Sequence, residues 1–160
     1  MLKPRSKRSQ REGAQFAIAV FDNWDALLCF LEKERIGTPS SSDAVLYART
    51  DDPPSSLRSG LLKEMTELRF TRARGAIACT SGPIADELAS RSTGGAVNLA
   101  NALRVWLSSE QAWEVASHVE KGHVVLWLEL RTSEEYGDLC GRLVHASPHL
   151  VELCNIKFSS

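Results

Sequence analysis

The last third of the chain alternates two cappable helices with two strand-length apolar runs, and that order restricts the fold more than any other feature. Ser108-Ser109-Glu110-Gln111 has the form of a capping box, in which a Ser side chain and a Gln or Glu three residues on satisfy each other's free amides. The helix it opens stops at Lys121-Gly122, and the run from His123 to Arg131 follows at once as a strand. Alternation puts Val124, Leu126, Leu128 and Leu130 on one face of that strand and Val125 and Trp127 on the other. Thr132-Ser133-Glu134-Glu135 then opens a second helix, and Pro148 clears the chain for a strand from Leu150 to Phe158.

A similar unit stands near the start. Gln15 to Phe21 is a short apolar run expected to be buried on both faces. Asp22 or Asn23 is placed to cap the following helix, where Trp24, Leu27, Leu28 and Leu31 share a face and Gly37 supplies the stop. Asp43 to Arg49 is the second strand, which makes a β-α-β unit if the two strands run parallel. Between the two units, the breaker Asp51-Asp52-Pro53-Pro54 opens an insertion over residues 51–108. Its expected parts are a helix from Leu57 to Leu68 and a short edge strand or extended link at Gly75–Cys79. A helix from Pro83 follows, then a Gly-rich turn leading into a helix over Ala96–Leu107.

The expected architecture is α+β: a ferredoxin-like sandwich with a four-stranded sheet and a helical insertion between the second and third core strands. It forms one domain over residues 15–160 behind a basic tail, residues 1–14. Helices 23–36 and 133–146 should cover one sheet face. The other face falls to the insertion or to a second subunit, so a homodimer or larger homo-oligomer meeting through the face around Trp127 is expected.

Charge narrows the partners. The net charge of −1 conceals five cations, Lys3, Arg5, Lys7, Arg8 and Arg11, against the single acid Glu12 in the first twelve residues; the remainder holds 14 basic and 19 acidic residues. An acidic body is a poor partner for nucleic acid, whose phosphates need clustered Lys and Arg, so attachment to nucleic acid or a membrane surface is left to the tail alone. The RNA-binding sandwich is disfavoured too: the run Val124–Leu130 lacks the basic-Gly start of such modules and offers one aromatic ring. With no apolar leader, no run long enough to span a bilayer and four scattered cysteines (Cys29, Cys79, Cys140, Cys154), the chain reads as cytoplasmic with reduced thiols.

No catalytic residues emerge. Gly-x-Ser-x-Gly, Gly-x-Gly-x-x-Gly and the Walker loop are absent. Cys140, His145, His149 and Cys154 match no closed zinc spacing, and His118 and His123 read as residues at a helix C-terminus, where the dipole favours them. Neither a metal nor a cofactor is therefore expected. The candidate binding residues are Ser81, Gly82, Thr93, Gly94 and Gly95, at helix starts whose free amides attract phosphate or carboxylate.

Residues 80–158 resemble the bacterial heat-induced, or general, stress proteins of the YflT-like type. The shared pieces are Thr80-Ser81-Gly82-Pro83, Gly94-Gly95-Ala96, Leu99 to Leu103, Ser109-Glu110-Gln111-Ala112 and His118-Val119-Glu120-Lys121-Gly122; Phe21-Asp22-Asn23-Trp24 is similar as well. The chain departs from that family at Leu61–Arg74, where charged residues replace a Gly- and Ala-rich apolar stretch. The resemblance implies a stress-linked bacterial protein of obscure biochemical activity with a ferredoxin-like core. The expected function is a non-enzymatic binding or interaction module; the alternative is a sensor or enzyme holding an anionic small molecule near Ser81 and Thr93.

Overall fold

A computed structural model describes residues 14–33, 43–48, 65–68, 77–80, 82–92, 98–130, 133–146 and 149–157. Its strands are β1 (Ala14–Phe21), β2 (Ala44–Ala48), β3 (Met65–Leu68), β4 (Ile77–Thr80), β5 (Val124–Leu130) and β6 (Leu150–Ile156). Its helices are α1 (Trp24–Lys33), α2 (Pro83–Ser92), α3 (Leu99–Leu103), α4 (Ser109–Glu120) and α5 (Ser133–Ala146). The fold is α+β, and the strands form one sheet in the order β3-β4-β2-β5-β1-β6. Every neighbouring pair is antiparallel. Because β1 and β2 both run antiparallel to β5, they are parallel to each other, as the first unit requires.

The sheet has six strands rather than the expected four, because the insertion contributes two. Met65–Leu68 is a strand where a helix was expected: Met65 pairs with Thr80 and Leu68 with Ile77, and Leu68 is buried in the core. The helical spacing of apolar residues there yields to cross-strand pairing and burial. Residues 57–64 lie outside the described residues. β4 pairs with β2 as well as β3, so it is an interior strand and β3 takes the edge. The helix expected over Ala96–Leu107 is confined to Leu99–Leu103, since Asn98 accepts the Asn101 amide at its start and the chain turns away at Arg104.

Alternation along β1 and β5 sorts the core into two layers. Ala17, Ala19, Phe21, Val124, Leu126, Leu128 and Leu130 meet α1 and α5 through Trp24, Leu27, Phe30, Leu31 and Leu143. Phe16, Ile18, Val20, Val125 and Trp127 meet the insertion helices α2 and α3, and α4 after them, through residues such as Ile84, Leu88, Leu103, Val115 and Val119. The second face is therefore covered by the chain itself. Trp127 is 0% exposed and stacks edge-on against Trp106 of the insertion, with centroids 5.6 Å apart. Its indole is interior to the single chain, under a layer supplied in cis. Glu152 of β6 accepts a hydrogen bond from Gln111 Nε2 at 2.8 Å, a further tie between α4 and the sheet. Among the described residues no helix is long and apolar enough to cross a membrane.

Candidate metal centre

Three of the chain's four histidines meet at one end of the sheet, and the reason is local at each step. α4 begins with the expected capping box between Ser108 and Gln111. It ends in a Schellman motif: the amide of His123 donates to the carbonyl of His118 and that of Gly122 to Val119, both at 3.0 Å. Gly122 sits at φ 90, a backbone region that side chains strain to enter. This motif usually brings two apolar side chains together across the helix end. Here those two positions are His118 and His123, and their Nδ1 atoms lie 2.9 Å apart.

Strand order supplies the rest. β1 lies between β5 and β6, and its last rungs pair Phe21 with Val124 and Val20 with Leu150. Asp22, His123 and His149 are thus the residues just past three adjacent strand ends on the same edge. Asn23 caps α1 by accepting the Ala26 amide at 2.9 Å, which leaves Asp22 in the bend before it. Asp22 Oδ1 contacts Nε2 of His149 and stands 3.9 Å from Nε2 of His123. The rings of His123 and His149 stack with centroids 4.2 Å apart and planes 18° from parallel. One ligand nitrogen from each of His118, His123 and His149 falls within 4.8 Å of the others.

The electrostatics favour the neutral forms of His118 and His123. Burial holds His118 below the ordinary imidazole range, and the positive charges of His123, His149 and Lys121 push the same way. His123 is lowered by burial and by His149; Asp22 opposes the shift. The Asp22 carboxyl is itself held low, first by the bond from His149 and then by the charges of His149 and His123, so it is an ionised acceptor. Neutral imidazoles with lone pairs to share are what a borderline metal ion takes as ligands. Donors about 2.0–2.1 Å from a tetrahedral zinc lie about 3.3 Å from one another; here one pair stands at 2.9 Å and all three fall within 4.8 Å.

The other candidates separate. Cys140 packs on the α1/α5 side of the sheet and Cys154 on the insertion side, so they do not converge with His145 and His149. Burial pushes the thiols of Cys79 and Cys154 up to about 12, which makes them poor nucleophiles. Of the anion-site residues, Gly82 is described. It stands at φ 150 before Pro83, its carbonyl accepts the Asp86 amide, and the acid Asp86 occupies the first turn of α2. Ser81, Thr93, Gly94 and Gly95 lie outside the described residues, as do Lys3, Arg5, Lys7, Arg8 and Arg11.

Comparison with known proteins gives no match to a protein-family model, a curated protein or a solved structure. The functional reading therefore rests on the site. Sequence reasoning treated His118 and His123 as helix-end residues and His149 as part of a different set. The missed signal was the Schellman pattern His118-x-x-x-Gly122-His123, which puts two imidazoles face to face before any tertiary contact forms.

Proposed function

We propose that this chain is a non-enzymatic binding module whose ligand is a divalent transition-metal ion held by His118, His123 and His149. The observation that carries this reading is the convergence of three imidazole nitrogens within 4.8 Å. Imidazole donors suit zinc, copper, nickel or cobalt, whereas magnesium and calcium prefer oxygen. The site spans the C-terminal end of α4 and the ends of the central strands, so an ion there ties α4 to the sheet.

Equilibrium dialysis and calorimetry with zinc, cobalt(II), magnesium and calcium test it. Saturable uptake of one zinc or cobalt ion per chain is expected, with none of magnesium or calcium. His118→Ala, His123→Ala and His149→Ala should each weaken uptake severely, while His145→Ala, on the exterior of α5, should not. Zinc uptake equal in the wild type and the triple variant would sink the reading.

Two broader readings accompany it. The subset β2-β5-β1-β6, with α1 and α5 on one face, supports a ferredoxin-like core in which residues 51–108 are an insertion. The four unpaired thiols support a cytoplasmic setting. The stress-linked role is supported by the family resemblance, and abundance of the protein before and after heat shock tests it.

A further inference from the structure

Asp22 touches the imidazole cluster without belonging to it. One ligand atom from each of three histidines falls into a common group among the described residues, and the Asp22 carboxylate is outside that group. Its Oδ1 faces the Nε2 side of two rings, contacting His149 and lying 3.9 Å from His123. A carboxylate accepts, so Nε2 of His149 donates to it. The stacked ring of His123 presents its Nε2 to the same oxygen, and its Nδ1 already meets Nδ1 of His118 at 2.9 Å. His123 thus turns Nδ1 toward His118 and Nε2 toward the carboxylate, and one nitrogen of His149 completes the group. A carboxylate on the far nitrogen of a ligating histidine is the usual outer partner of a metal site: it fixes tautomer and ring orientation.

Three neutral donors leave a tetrahedral ion one ligand short. They also leave its double positive charge uncompensated by any ligand atom. Among the described residues no fourth His, Cys, Asp or Glu joins the group, and the site opens to solvent, with His149 28% and Asp22 55% exposed at the side chain. We infer that Asp22 is a positioning residue and not a ligand, and that the fourth coordination position is open and takes a small anionic ligand from solution. This rests on the metal-binding reading above. The ligand class is a compact oxygen- or nitrogen-donor anion such as a carboxylate or inorganic phosphate. The anion would meet the protein at the ion and not at the helix starts near Ser81 and Thr93.

Cobalt(II) serves as the probe ion, because its visible spectrum reports coordination number and ligand exchange. Azide and inorganic phosphate are titrated into the cobalt-loaded wild type and into Asp22→Asn, with imidazole nitrogen NMR following the tautomer of His149. The wild-type spectrum should shift saturably with either anion. Asp22→Asn should still bind cobalt, about 10- to 100-fold more weakly, keep the anion response and lose the single His149 tautomer. A wild type blind to both anions, alongside an Asp22→Asn variant that has become sensitive to them, would show the carboxylate to be the fourth ligand and overturn the inference. Absence of any cobalt spectrum, or one unchanged in His118→Ala, would instead remove the metal-binding reading beneath it. Circular dichroism of Asp22→Asn separates these outcomes from unfolding.

Discussion

Trp127 provides the sharpest test of whether the insertion closes the sheet within one chain. The side chain is fully buried, edge-on to Trp106 at 71°, and its Nε1–H has no hydrogen-bond partner among the described residues. Trp127→Ala removes a large ring from the centre of the insertion-side core and should cost about 3–5 kcal/mol, a large share of the 5–15 kcal/mol that holds a domain together. Trp127→Phe keeps a ring against Trp106 but loses part of the packing. It also removes a buried donor whose unmet hydrogen bond costs about 1–3 kcal/mol, so the two effects oppose each other and the net change should stay within about 1 kcal/mol. Urea unfolding followed by circular dichroism, at two protein concentrations tenfold apart, reads both variants. The midpoint should fall for Ala, stay near wild type for Phe, and be independent of concentration for both. A loss below about 1 kcal/mol for Trp127→Ala, or a wild-type midpoint that rises with protein concentration and no longer does so in Trp127→Ala, would refute cis closure and return Trp127 to a subunit contact.

Other outcomes follow from named contacts. Gly122→Ala forces a side chain into φ 90 and should cost about 1–3 kcal/mol in urea unfolding, with zinc affinity falling alongside because the His118–His123 pair is built on that turn. Ser108→Ala removes the capping box of α4 and should cost about 1 kcal/mol by the same assay while leaving zinc affinity unchanged. Cys79 and Cys154 have folded-state values raised from 9.0 to about 12, so the folded chain holds protons that the unfolded chain releases. Stability from these thiols is intact below pH 9 and declines as pH rises toward 12, by about 1.4 kcal/mol per pH unit for each. Urea midpoints across that range should fall less steeply in Cys79→Ala, and an equal slope would count against the burial explanation. Thiol labelling at neutral pH should reach exposed Cys29 first and Cys79 last.

What the residues disclosed locally held up where the signal was short-range. The capping box at Ser108, the stop at Gly122, the strands of the two flanking units and the two-faced alternation of β5 are all present. Each follows from a backbone rule acting within a few residues. Met65–Leu68 was misread because four residues with helical spacing carry no record of the partner strand that pairs with them. That the cover over Trp127 comes from the same chain was not legible, because an apolar sheet face demands a cover without specifying from which chain it comes. The metal centre fell between these cases. His118 and His123 were linked by a turn that the sequence spells out, whereas Asp22 and His149 sit 127 residues apart and meet only because β1 threads between β5 and β6.

The sequence by itself determined the start and stop of α4, the inward and outward faces of β5 and the pairing of two imidazoles across the end of α4, since these depend on neighbours along the chain. The tertiary structure alone decided that the insertion adds two strands and, together with α4, seals the second face, and that three strand ends deliver a third imidazole and a carboxylate to the same spot. Those are consequences of strand order, which is set by the best burial of the whole apolar surface and is written in no single segment.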